Sequence, residues 1–106
     1  MESISAPDLR MRMESGSAAP MLLDVRESWE FELCHIPGSR LVPMSELPGV
    51  LAELDREAPI VVVCHHGVRS YQAALFLEQA GFRRVSNLTG GVDAWADTVD
   101  RAMPRY

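Results

Sequence analysis

The densest run of chemically capable side chains is Cys64-His65-His66-Gly67-Val68-Arg69-Ser70. It directly follows Ile60-Val61-Val62-Val63, a β-branched stretch without polar alternation, as expected of a central parallel strand covered on both faces. The helical spacing of Ala73, Phe76, Leu77 and Ala80 then predicts a mostly buried helix over 69–80, ended by Gly81. Ligands bind at the carboxyl ends of the strands in an open α/β sheet. A strand–loop–helix turn there aims backbone N–H groups inward, and the helix start adds the positive end of its dipole. Such a cradle stabilises an anion, and a thiolate on Cys64 is one. Gly67 lets the backbone approach closely, and Arg69 offers a planar fork of donors to a sulfonate, sulfate or phosphate group.

Each of these residues also has a plainer reading. Cys64 could be a small core residue at a strand end. His65 and His66 could be loop polarity, and Arg69 a solvated arginine, although a helix start is an unfavourable place for its charge. Cys34-His35 and Cys64-His65-His66 could be added up to a zinc set. Neither cluster has zinc-knuckle spacing, and adjacent residues seldom turn to one ion, so no metal is expected. Cys34, at the end of a short amphipathic helix, reads as core, with a resolving-thiol role as the minor alternative.

The elements that must position this loop are legible along the chain. Ser3-Ile4 reads as a first strand and Ser5 as the cap of a helix with Pro7 in its first turn, Leu9 and Met13 on one face, and Gly16 as its stop. Met21 to Val25 is a buried strand, Ser28 caps a brief helix through Leu33, and Pro37-Gly38 makes a turn. Leu41-Val42 is a short strand. Ser45 caps a helix with Leu47, Val50, Leu51 and Leu54 at helical spacing. Val85-Ser86 is the last strand, and a final helix entered through Gly90-Gly91 carries Val92, Trp95, Ala96 and Val99. Strands alternating with helices of this length predict an α/β domain with a parallel sheet.

Composition narrows the function classes. The 106 residues suit one domain, 1–106, able to bury a core without staples. The net charge of −5 argues against a nucleic-acid partner, while a small anionic substrate stays compatible because a site's charge is local. The apolar run from Ile60 to Cys64 is far too short for a bilayer, so no membrane role is expected. Every basic residue is Arg, which removes lysine Schiff-base and general-base chemistry. Residues 1–5 resemble no export signal, and two cysteines make no disulfide framework, so a cytoplasmic protein with reduced thiols is the expectation.

Three segments, in order and spread over most of the chain, resemble the signatures of rhodanese-like sulfurtransferase domains. They are Asp24-Val25-Arg26-Glu27 with Glu30-Phe31 and His35-Ile36-Pro37-Gly38; the loop Cys64 to Ser70; and Leu88-Thr89-Gly90-Gly91-Val92-Asp93-Ala94-Trp95. The resemblance implies a three-layer domain with a five-stranded parallel sheet in the order 3-2-4-5-1. It implies a Cys64 thiolate that takes the outer sulfur of thiosulfate or a related donor, leaving a persulfide and sulfite. A thiophilic acceptor then removes that sulfur: cyanide in the test tube, a thiol or protein cysteine in the cell. His65, His66, Gly67, Val68 and Arg69 would bind substrate, with the loop amides holding the sulfur and Arg69 clamping the departing sulfite. No metal or organic cofactor is implied. Asp24, Arg26, Glu30 and His35 would frame the loop, and the spacing allows an Arg26–Glu30 ion pair. Trp95 and Gly90-Gly91 are assigned to packing, and Val99 to Tyr106 to no role.

Two other functions fit the same resemblance. One is a persulfide carrier or adaptor with little free turnover. The other is a phosphatase or arsenate reductase on the same fold, but those loops hold one residue more between cysteine and arginine than the four found here, His65 to Val68.

Overall fold

The computed structural model describes residues 1–15 and 19–106. Five strands, β1 (Glu2–Ile4), β2 (Met21–Asp24), β3 (Arg40–Leu41), β4 (Ile60–Val63) and β5 (Val85–Leu88), form one sheet in the order β1-β5-β4-β2-β3. Every pairing is parallel, and β4 lies at the centre between β2 and β5. This is the expected order.

Side-chain alternation along β4 sorts the core into two layers. Val61 and Val63 face one side with Leu9, Ile36, Leu88 and Trp95, against α1 (Ala6–Glu14) and α5 (Gly91–Thr98). Ile60, Val62 and Cys64 face the other, with Ala73, Ala74 and Leu77 of α4 (Val68–Gln79). The catalytic candidate therefore belongs to the row of side chains that packs beneath α4. Trp95 and Cys34 are buried, as the packing assignments expected.

Local chemistry accounts for the helix starts. The Ser5 hydroxyl accepts from Asp8 N–H at 3.2 Å, which caps α1. The expected stop at Gly16 lies outside the described residues; within them α1 ends at Glu14, with Ser15 as its C-cap. The cap of α2 (Ser28–Leu33) is Glu27 rather than Ser28. The Glu30 carboxylate accepts from Glu27 N–H at 2.9 Å, and that acceptor three residues on moves the helix start back by one position.

The helix expected from Ser45 breaks into pieces: a 3₁₀ turn at Met44–Glu46, a four-residue α3 (Leu47–Val50) and a second 3₁₀ turn at Leu51–Glu53. Pro48 supplies no N–H and Gly49 disfavours helix, so the segment follows its buried anchors, Leu47 and Leu54, instead of a regular period. The α4 helix is also less buried than its sequence suggests. Tyr71 and Leu75 are exposed, because the sheet covers only the face that carries Ala73, Ala74 and Leu77. The third strand lies one residue earlier than expected, and β5 runs on to Leu88. No helix among the described residues is long and apolar enough to cross a membrane.

Candidate active site

Cys64 directly follows β4 and is 1% exposed. Three residues later Gly67 adopts φ +100° as the N-cap of α4, a left-handed turn that glycine takes without steric cost. A Cβ there would press on Gly90 N and Leu88 O at 3.2 and 3.3 Å. The turn brings Gly67 N–H onto Cys64 Sγ at 3.1 Å. The amides of His65, His66, Val68 and Arg69 make no hydrogen bond to Sγ in this conformation. The Cys64 thiol donates to the Ser70 hydroxyl at 3.2 Å, and Ser70 donates in turn to Asn87 Oδ1. Asn87 Nδ2 closes the circuit on Gly67 O at 3.1 Å. Ser70 and Asn87 are both buried, so the sulfur sits at the start of α4 in a fully hydrogen-bonded polar nest.

The loop is also held from beneath. Val92 N–H donates to Cys64 O at 2.9 Å and Asp93 N–H to His65 O at 3.1 Å. The first free amides of α5 thus take up carbonyls of the Cys64 loop. Gly91 makes that docking feasible: it has φ +59°, and a Cβ would fall inside the Cys64 and His65 carbonyl oxygens. The glycine pair is packing, as expected, but packing applied directly under Cys64.

A second layer frames the loop differently from the expected ion pair. Arg26 is fully buried and gives its charge to Asp24, with Nη2 to Oδ2 at 2.7 Å and Nε to Oδ1 at 2.9 Å. Its remaining donors reach Cys34 O at 2.7 Å and the Tyr106 hydroxyl at 2.9 Å. Toward Glu30 it contacts only the backbone carbonyl, at 3.4 Å. The Arg26–Glu30 ion pair is therefore not formed. Asp24, two residues away and equally buried, already neutralises Arg26. The Glu30 carboxylate instead grips Arg69 with two bonds of 2.7 Å. The Arg69 guanidinium draws Glu30 down to about 2, well below the usual carboxylate range. Arg69 thus stands beside the loop as a half-exposed group with its fork turned to Glu30, and its remaining N–H groups are what it can offer an oxyanion.

Tyr106 is the residue that sequence reasoning missed. Its hydroxyl accepts from Arg26 and donates to Glu30 Oε1 at 2.8 Å. Its ring stacks on His65 with centroids 3.8 Å apart, and His65 stacks on His66 at 3.9 Å. Burial, and then His66, push His65 below the ordinary imidazole range, while burial lifts the Tyr106 phenol. A tail residue 76 positions from Glu30 carries no local pattern that would announce this contact. His35 turns away from the loop: its Nδ1 pairs with Phe31 O at 2.8 Å and its ring stacks on Phe31. Val68 is 68% exposed at the rim, and His66 is exposed beside it. Among the described residues the Cys34, His35 and Cys64 donors are not gathered at one point, so the zinc set considered from sequence does not assemble.

A buried cysteine at the carboxyl end of the central strand, followed by a tight turn into a helix, stands in an α/β domain of rhodanese fold. Comparison with known proteins agrees. The model of the Rhodanese-like domain matches residues 5–98. The chain is 40% identical over 76 residues to a protein named Sulfurtransferase from Allochromatium vinosum, covering 72% of this chain and 71% of that one. It is 37% identical over 89 residues to the Rhodanese-like/PpiC domain-containing protein 12, chloroplastic, of Arabidopsis thaliana, covering 80% of this chain. Here the match spans only 30% of the relative's length. Among solved structures, a rhodanese-like domain protein from Staphylococcus aureus superposes with a TM-score of 0.85 at 31% identity, covering 93% of this chain and 95% of that one. A rhodanese-related protein from Thermoplasma volcanium gives 0.84 at 34%, covering 93% and 94%. The chain belongs to the rhodanese-like domain family, a family of sulfurtransferases.

Proposed function

We propose that this protein moves a sulfane sulfur from thiosulfate or a related anionic donor to a thiophilic acceptor through a persulfide on Cys64. The observation that carries the reading is the seat of Sγ: at the start of α4, on the Gly67 N–H, and linked to Ser70 and Asn87. Negative charge on a sulfur there meets the Gly67 N–H and the positive end of the α4 dipole with no reorganisation of the fold.

In the first half-reaction the Cys64 thiolate attacks the outer sulfur of thiosulfate. A new S–S bond forms at Cys64, the old one breaks, and sulfite leaves with its electron pair. The loop from His65 to Arg69 receives the outer persulfide sulfur, and Arg69 faces the departing oxyanion. In the second half-reaction an acceptor attacks the outer sulfur and the Cys64 thiolate is restored. Cyanide would leave as thiocyanate; a thiol or a protein cysteine would leave as a persulfide. A cytoplasmic setting, where Cys34 and Cys64 stay reduced, suits this chemistry.

The test compares wild type with Cys64→Ser in two measurements: thiocyanate formed from thiosulfate and cyanide, and intact mass after thiosulfate treatment. Wild type is expected to turn over and to gain one sulfur, and Cys64→Ser to do neither. Turnover by Cys64→Ser would overturn the mechanism, and an adduct on Cys34 would overturn the site. An adduct on Cys64 without turnover would make the protein a persulfide carrier.

A further inference from the structure

We propose that His65, His66 and Asp93 form a site for one borderline divalent cation of the Zn²⁺ class, on the rim of the catalytic loop and independent of the Cys64 sulfur. One donor atom from each residue lies within 4.8 Å of the other two, and among the described residues no other such trio of His, Cys, Asp or Glu occurs. Two imidazoles and a carboxylate are a donor set that zinc-class ions favour, and three protein ligands leave a position open to water or to an anion.

The local packing prepares the trio. His65 and His66 are chain neighbours whose rings lie 19° from parallel with centroids 3.9 Å apart, so one ring has to turn out of the stack for both to reach one ion. His65 is clamped on its other face by the Tyr106 ring. Asp93 is fixed to the loop through its own backbone, which donates to His65 O at 3.1 Å. Tetrahedral ligands around such an ion stand about 3.3 Å apart. The trio must close by up to about 1.5 Å, through rotations of the exposed His66 and the half-exposed Asp93.

The site has a built-in competitor. Arg105 pairs with Asp93 Oδ1 through Nη2 at 2.8 Å and Nε at 3.1 Å. A cation arriving at Asp93 has to displace that guanidinium or share the carboxylate with it. Arg105 lies in the same tail as Tyr106, so an ion here joins the catalytic loop to α5 and changes how the tail is held.

The experiment titrates Co²⁺ and Zn²⁺ into the full chain carrying Cys64→Ser, so that the reactive thiol cannot supply the ligand. One Co²⁺ per chain is expected, with the visible absorption of nitrogen and oxygen ligands and without sulfur charge-transfer bands. Asp93→Asn and His66→Gln should each weaken binding about tenfold or more, and Arg105→Ala should tighten it about threefold. Zn²⁺ should raise the melting temperature of the Cys64→Ser protein, and should do so less with Asp93→Asn. Binding that disappears with Cys64→Ser, or shows thiolate bands in wild type alone, would place the ion on the sulfur and overturn the proposal. Binding unchanged by both Asp93→Asn and His66→Gln would overturn it equally. Neither result bears on the sulfur-transfer reading, which has its own test.

Discussion

Replacing Glu30 by Gln should cost stability at neutral pH and very little in acid. Glu30 is 4% exposed, and its carboxyl titrates at about 2 against an ordinary value of 4.5, chiefly because Arg69 bonds to it twice. A carboxyl depressed by folding contributes stability above its unfolded pKa and loses it as pH falls through its folded value. The full contribution is about 3 kcal/mol near neutrality, and somewhat more than half of it is gone by about pH 3. Breaking a fully buried pair by removing one partner costs about 3–5 kcal/mol, but Arg69 is 39% exposed and water can take up its charge, which favours the lower end. Urea unfolding of wild type and Glu30→Gln across this range should therefore show a gap of about 2–3 kcal/mol at about pH 7 that shrinks to about 1 kcal/mol near pH 3. A gap of the same size at both ends would mean that Glu30 acts through packing alone, and the charge argument would fail.

Gly91→Ala places a Cβ against the Cys64 and His65 carbonyls at a positive φ, so it should destabilise by about 2 kcal/mol or more and displace the loop. Denaturation and thiocyanate formation measured together should both fall. Tyr106→Phe keeps the stack on His65 and removes the hydroxyl that joins Arg26 to Glu30; a loss of about 1–2 kcal/mol is expected in urea unfolding. Arg69→Ala should impair thiosulfate more than polysulfide, because only thiosulfate carries a sulfonate-like head, and kcat/KM for the two donors measures the difference. Equal losses on both donors would remove Arg69 from oxyanion recognition and leave it as the partner of Glu30.

How far the chain could be read without its fold depended on the range of each interaction. The unbroken β-branched run Ile60–Val63, the helix starting just after Gly67 and the Ser5 cap all rest on contacts within a few residues, and each lies where local chemistry places it. The segment from Ser45 to Leu54 has helical spacing yet breaks up, because Pro48 and Gly49 weaken the backbone preference and burial of Leu47 and Leu54 decides the path. Spacing alone allowed Arg26 to pair with Glu30. Asp24 claims Arg26 instead, and Glu30 is left for an arginine 39 residues away.

The acidic balance of the chain says little about the surroundings of Cys64, which are the Gly67 amide and the start of α4. The order of residues alone established a thiol at the end of a central strand, a glycine to turn the chain and a helix to follow, because neighbouring residues settle all three. Tertiary structure alone decided which partners close around that thiol. Ser70 reaches Asn87 of the next strand, Gly91 lets α5 dock on the loop carbonyls, and Tyr106 returns from the tail to join Arg26, Glu30 and His65. Each of these is a contact across the sheet or between layers. Such contacts exist only once β4, β5 and their helices stand side by side, and no periodicity along the chain encodes them.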